Sequence, residues 1–256
     1  DNNGTRGANL NVYATTVGAN SFSNGAFTTT TGTYNVISST YTGGRFSTPT
    51  QNFGATVNGA FNSIESTSGG STAGVATAIT GVANRVANSN GVLVYGAGNE
   101  ITNSSTSFST PGESATSAKD FADKLKTAVT SSNGAGATMA FGGGNKADYT
   151  LRTSMIGVNN TVTGVRGNQS KDNLAIGVGN TGTKVQHMTV IGSKNTVSDA
   201  NNTLVLGDNR TVTSANNTVI LGSSDNGTTT TVNDAVAVGH NTEVSVVGGT
   251  AIGSGS

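Results

Sequence analysis

Side chains able to do acid–base, nucleophilic or metal chemistry are sparse in this sequence. It has two histidines, His187 and His240, and no cysteine. A zinc site needs further ligands at suitable spacing, and none accompanies either histidine. His187 precedes an apolar run and His240 follows Gly239, so both read as turn or interface residues. Asp199, Asp208, Asp225 and Asp234 recur without a constant place in any pattern, which gives no specific support for paired carboxylates acting on a glycoside. Gly142-Gly143-Gly144-Asn145 is rich in glycine, but no Lys-Ser/Thr follows and no helix opens there, so it is a turn and not a phosphate loop. The expectation is a protein that is not an enzyme and carries no cofactor or metal. Zero formal net charge offers nothing to a polyanion such as nucleic acid, and the absence of cysteine excludes a disulfide framework.

What the chain does have is a repeat. Met155-Ile156-Gly157, Ala175-Ile176-Gly177, Val190-Ile191-Gly192, Val205-Leu206-Gly207, Ile220-Leu221-Gly222, Ala237-Val238-Gly239 and Ala251-Ile252-Gly253 align on their glycines at steps of 20, 15, 15, 15, 17 and 14 residues. A near-constant period with one local pattern means an array of one small unit. Low charge with abundant Thr, Ser, Asn and Gly would otherwise suggest disorder, and the regular aliphatic pairs argue against it. The two apolar residues before each Gly point to opposite faces of a strand. Five residues after the Gly a lone apolar residue recurs, at Val162, Val197, Val212 and Val244, among Thr, Asn and Ser. A coil of about fifteen residues holds two strands of about five and two turns, and Asn160, Asn180 and Asn195 supply turn chemistry with the glycines.

Stacked coils of this kind form a thin two-sided solenoid. One face of the inner strand and the lone Val fill its interior. The other face is left as a long apolar stripe, which soluble monomers avoid, so the strands predict self-association. Val190, Val205, Ile220 and Ala237 are assigned to that shared core.

Thr203-Leu204-Val205-Leu206-Gly207, Asp234-Ala235-Val236-Ala237-Val238-Gly239 and Asn173-Leu174-Ala175-Ile176-Gly177 resemble the YadA-like head repeats of trimeric autotransporter adhesins. The likeness covers nearly the whole chain and is strongest after Ser154. It implies an all-β, left-handed parallel β-roll with three chains around one axis. It also implies bacterial surface display, attachment to extracellular-matrix proteins, cells or abiotic surfaces, and a role in virulence. Neck, stalk and outer-membrane anchor segments would follow the head in such a protein; no heptad run, barrel strand or ~20-residue apolar span is found here, so the sequence reads as a head segment.

Along the chain, residues 1–78 read as a cap with irregular coils, 79–102 and 137–256 as regular coils, and 103–136 as an insertion. Residues 1–61 hold five of the eight Phe and three of the five Tyr, fitting aromatics that plug the end of a roll or a ligand-contacting tip. Ser114–Ser132 predicts the one helix, capped by Ser114 or Ser117 and stopped at Asn133-Gly134. Phe121, Leu125, Ala128 and Val129 share one face of it. Lys119, Lys124 and Lys126 make it locally basic, and with Phe121 these lysines are the candidate ligand-binding residues, since insertions on a rigid scaffold carry specificity. Arg166–Lys171 and the stretch around Asn226-Gly227 should be surface bulges.

Two other functions fit the array. A Thr four residues after the Gly, at Thr161, Thr181, Thr196 and Thr211, suggests an ice-binding solenoid, against which stand the unequal coil lengths. A polysaccharide-acting β-solenoid enzyme is the less favoured third.

Overall fold

The computed structural model describes residues 14–40, 51–67, 73–106, 117–132 and 136–256. Among them the chain is nearly all parallel β-strand, with one α-helix. It divides into two compact units, Asp1–Met139 and Ala140–Ser256.

The second unit shows the coil most clearly. Leu174–Val178 is an inner strand and Thr181–Thr183 an outer one. At the corner between them Gly177 and Gly179 both have positive φ, 123° and 66°. A β-carbon on Gly177 would lie 1.9 Å from the carbonyl oxygen of Gly192 in the next coil, so only glycine permits the coils to stack here. Lys184, at φ 51°, turns the chain back toward the next inner strand, Gln186–Ser193. That strand pairs in parallel with the first, Ala175 beside Val190, Ile176 beside Ile191 and Gly177 beside Gly192. The same register runs on through Asn201–Leu206, Thr218–Leu221, Val236–Val238 and Thr250–Ile252. The outer strands form a second ladder, Thr161–Thr163, Thr181–Thr183, Thr196–Ser198, Arg210–Thr213 and Thr228–Thr230.

The interior is one side chain thick. Met155, Ala175, Val190, Val205, Ile220 and Ala237 enter from the inner ladder, and Val162, Val197 and Val212 from the outer; all are buried within the single chain. This corrects the sequence assignment: Val190, Val205, Ile220 and Ala237 cannot form a core shared between chains, because their own coil encloses them.

Asparagines do more than turn the corner. Asn160 Oδ1 accepts from both the backbone N–H and the side-chain amide of Asn180, and Asn180 Oδ1 accepts the same pair from Asn195. Each Nδ2 also donates to a glycine carbonyl of the following coil, Gly192 for Asn180 and Gly207 for Asn195. A buried column of amides therefore runs from Asn145 to Asn195 and satisfies corner backbone that the strands leave unpaired. Arg210 occupies the next place and is 1% exposed. It donates to the carbonyls of Gly222, Gly239 and Thr242 at 2.8, 2.9 and 2.7 Å.

Longer coils leave the ladders in register. The 20-residue step ends in a small turn where Val165 and Asn168 exchange backbone hydrogen bonds, followed by a short strand, Ser170–Lys171, paired with Thr150–Leu151. Meanwhile Thr161 still pairs with Thr181.

The first unit uses the same plan. Its inner ladder comprises Thr15–Val17, Thr29–Thr33, Thr56–Ala60, Ala78–Val82 and Leu93–Ala97. Its outer ladder comprises Phe22–Ser23, Val36–Ser39, Ser63–Ser66, Arg85–Ala87 and Glu100–Thr102. Asn35, Asn62, Asn84 and Asn99 form its amide column. Helix α1 spans Ala118–Ser131, with Ser117 as its N-cap, the hydroxyl accepting from Asp120 N–H. The alternative cap Ser114 and the expected stop at Asn133-Gly134 lie outside the described residues, as do Tyr13, Tyr41 and Phe46 of the aromatic N-terminal region.

Candidate assembly interface

The residue immediately before each glycine in the second unit points away from the interior. Ile156, Ile191, Leu206 and Ile252 are 42%, 41%, 38% and 72% exposed, and Ile176, Leu221 and Val238 are half-buried. Strand register sets them side by side, Ile156, Ile176, Ile191, Leu206, Leu221, Val238 and Ile252, in one column. Two residues back, a second half-buried column contains Leu174, Thr189, Leu204, Val219 and Val236. Adjacent strands lie about 4.8 Å apart, so the two columns form one largely aliphatic face, with Thr189 within the second column and Ser154 and Thr250 at its ends. No charged side chain interrupts either column. Soluble monomers rarely expose a contiguous apolar face of this kind.

The sequence held a signal for which row is which. The enclosed row contains Ala175 and Ala237, as a narrow interior requires, whereas the outward column holds only large aliphatics. The second column, with Leu204, Val219 and Val236, was missed because it sits outside the Gly-aligned pair.

In the first unit the corresponding column is different. Val17, Thr31, Asn58, Thr80 and Tyr95 stand in register and all five are exposed. Polar residues fill its middle, so the aliphatic face belongs to the second unit alone.

Of the four candidate ligand-binding residues on the helix, Phe121 is turned toward the coils. Phe121 packs on Phe27, ring centroids 5.1 Å apart, and Phe27 packs in turn on Phe53. With Leu125 it covers a small core of Ala26, Phe53 and Val75. Phe121 is thus an anchor that fastens the helix to earlier coils of its own chain. Lys119 pairs with Asp123 and Lys124 with Asp120, one turn apart; Lys126 is exposed.

The sparse titratable groups are each tied into the coils. His240 Nε2 lies 3.1 Å from Asp225 Oδ1, and Asn241 donates to the other oxygen. Those two hydrogen bonds, Asn241's first, hold the Asp225 carboxyl below its ordinary range. Asp199 pairs with Lys184 at 3.5 Å, Asp234 accepts from Asn217, and Asp208 accepts from Ser193 N–H. His187 sits at a left-handed corner with φ 54°. Among the described residues no group of three His, Cys, Asp or Glu could hold a metal. Neither a scan against protein-family models nor a search of curated proteins finds a match for this chain.

Proposed function

We propose that this chain is the adhesive head of a trimeric, surface-displayed protein of the YadA-like kind, three copies meeting through their second-unit aliphatic faces. The observation that carries the reading is the outward column from Ile156 to Ile252, which one chain leaves uncovered. Fully burying a Val, Leu or Ile is worth about 1.5–3 kcal/mol relative to exposure, so covering the remaining area of the eleven aliphatic side chains in the two columns can hold chains together. Left-handed coiling and a three-fold axis come with the resemblance in sequence. The mechanism is multivalent display, weak sites repeated on three chains and summed by avidity. Display on the bacterial outer membrane would need anchoring segments beyond these residues.

The test is attachment of the full chain to surfaces coated with collagen, fibronectin or laminin and to bare polystyrene, beside Leu206→Lys. The wild type should adhere to at least one and the variant far less, through lost avidity. Adhesion that survives in a monomeric variant contradicts the mechanism. Removing residues 103–136 is a poor control, since it would uncover Phe27 and Phe53; Lys119→Ala/Lys126→Ala tests the helix instead.

An ice-binding surface is the second reading, favoured by one observation. Thr161, Thr181, Thr196, Thr211 and Thr229 stand in register, with Thr163, Thr183, Ser198 and Thr213 two residues on. Unequal coil lengths therefore do not break the hydroxyl lattice. Thermal hysteresis in a solution of the chain would support this reading, and its absence ends it.

A further inference from the structure

Two aromatic residues of the first unit occupy places that the fold gives to other residue types. The second position after each corner glycine except Gly222 has positive φ. Along the second unit it holds Gly144, Asn159, Gly179, Lys194, Asn209, Asn241 and Gly255, and in the first unit Asn20, Ala83 and Gly98. Tyr34 and Phe61 stand in the same position, at φ 53° and 57°. A left-handed backbone is costly for a bulky side chain, and such strain concentrates at functional sites. Nothing in the coil's packing repays it: Tyr34 is 53% exposed and Phe61 60%. Their rings stack on each other instead, centroids 5.5 Å apart and planes 14° from parallel.

The setting is neutral and rich in hydroxyl and amide groups. Residues 14–40 and 51–64 contain no charged side chain. The strands that end at these corners expose Thr31, Thr33 and Asn58. Flat aromatic faces suit the C–H face of a pyranose ring, and Thr and Asn side chains suit its hydroxyl edge. The charged groups on the adjoining outer ladder, Glu65, Arg85 and Glu100, are engaged with one another. The polar column beside these corners lacks the composition of a dry chain–chain contact.

We infer that the Tyr34–Phe61 corner is a binding site for a neutral carbohydrate, the sugar ring lying on the aromatic stack. If the chain is an adhesive head, this names a class of ligand for it, and the binding itself requires no particular oligomeric state. One site of this size binds weakly, and repetition on several chains strengthens it.

The experiment is saturation-transfer-difference NMR of the full chain with cellohexaose, mannohexaose and maltohexaose, and with heparin hexasaccharide as an anionic control. At least one neutral sugar should receive transfer and the anionic one none. Tyr34→Ala/Phe61→Ala places at both corners the residue type that the fold already accepts at Ala83. The double variant should weaken that binding about tenfold or more, while Tyr34→Phe keeps it. Light scattering on the same samples should show unchanged mass. Failure of all three neutral sugars overturns the inference, as does unchanged binding in the double variant. A fall in mass without sugar binding shows instead that the rings meet another copy, and also overturns it. Loss of self-association in Leu206→Lys with sugar binding retained separates this site from the assembly face.

Discussion

Ile191 and Leu206 lie side by side on adjacent parallel strands, each with about two-fifths of its surface exposed, at 41% and 38%. One residue back, Val190 and Val205 pair in the same ladder and are fully buried. Neighbours in sequence thus have opposite settings, one filling the coil and the other left partly exposed. Val205→Lys should prevent folding or cost more than about 4 kcal/mol, because it buries an unpaired charge. Leu206→Lys should keep the β-sheet circular dichroism spectrum and lose only self-association. Equal loss of structure in both variants would refute this division.

The amide column makes Asn180 a keystone of the corner. Replacement by Ala orphans the Gly192 carbonyl and the backbone and side-chain N–H groups of Asn195. Buried unpaired groups cost about 1–3 kcal/mol each, so Asn180→Ala should destabilise by roughly 3 kcal/mol. Denaturant unfolding at one fixed protein concentration measures it, since assembly links stability to concentration. Asn202→Ala, on the exposed surface ladder to Asn217, should cost only about 1 kcal/mol, chiefly because its φ of 54° suits Asn better than Ala.

Arg210 is a cation buried against three carbonyls. Burial lowers its pKa, yet a guanidinium stays protonated. It reaches across two coils because the residue in register with it in the next coil is Thr228, which carries no amide to continue the column. Arg210→Ala should therefore cost about 3 kcal/mol or more. Arg210→Asn should cost less, since a shorter amide can still serve Gly222. The same denaturant titration ranks the two.

Acid should weaken both units. The Arg85 guanidinium holds the Glu65 carboxyl below its ordinary 4.5, and Arg152 holds Asp172 below its ordinary 3.8. A depressed carboxylate stabilises the fold fully above its unfolded value and loses that contribution as pH falls through the folded one. The melting temperature should be level above ~pH 5 and decline below it. Both pairs are partly exposed, so the effect is modest and screened by salt. Arg85→Gln/Arg152→Gln should flatten the decline; an unchanged acid slope would show that these pairs do not cause it.

Much of this architecture was legible in the glycine-aligned repeat, because stacking forces glycine at one corner and aliphatics beside it. The period gave the coils, and Val162, Val197 and Val212 gave the outer strand. Less legible was which of two apolar rows faced inward, since alternation labels faces without orienting them. Phe121 read as a ligand contact because its partners Phe27 and Phe53 lie far away in sequence and meet it only after coiling. Arg210 was silent for a similar reason: its carbonyl partners belong to the next two coils. Tyr34 and Phe61 stood out only as part of an aromatic-rich region, and their shared left-handed corners required coordinates.

The central claim is that the aliphatic face from Ile156 to Ile252 is covered by other copies of the chain. Sedimentation equilibrium of the full chain at low micromolar concentration tests it most directly. The account predicts a species of three times the 25.3 kDa chain mass for the wild type and a folded 25.3 kDa species for Leu206→Lys. A wild type that sediments as a stable, folded 25.3 kDa monomer would contradict it.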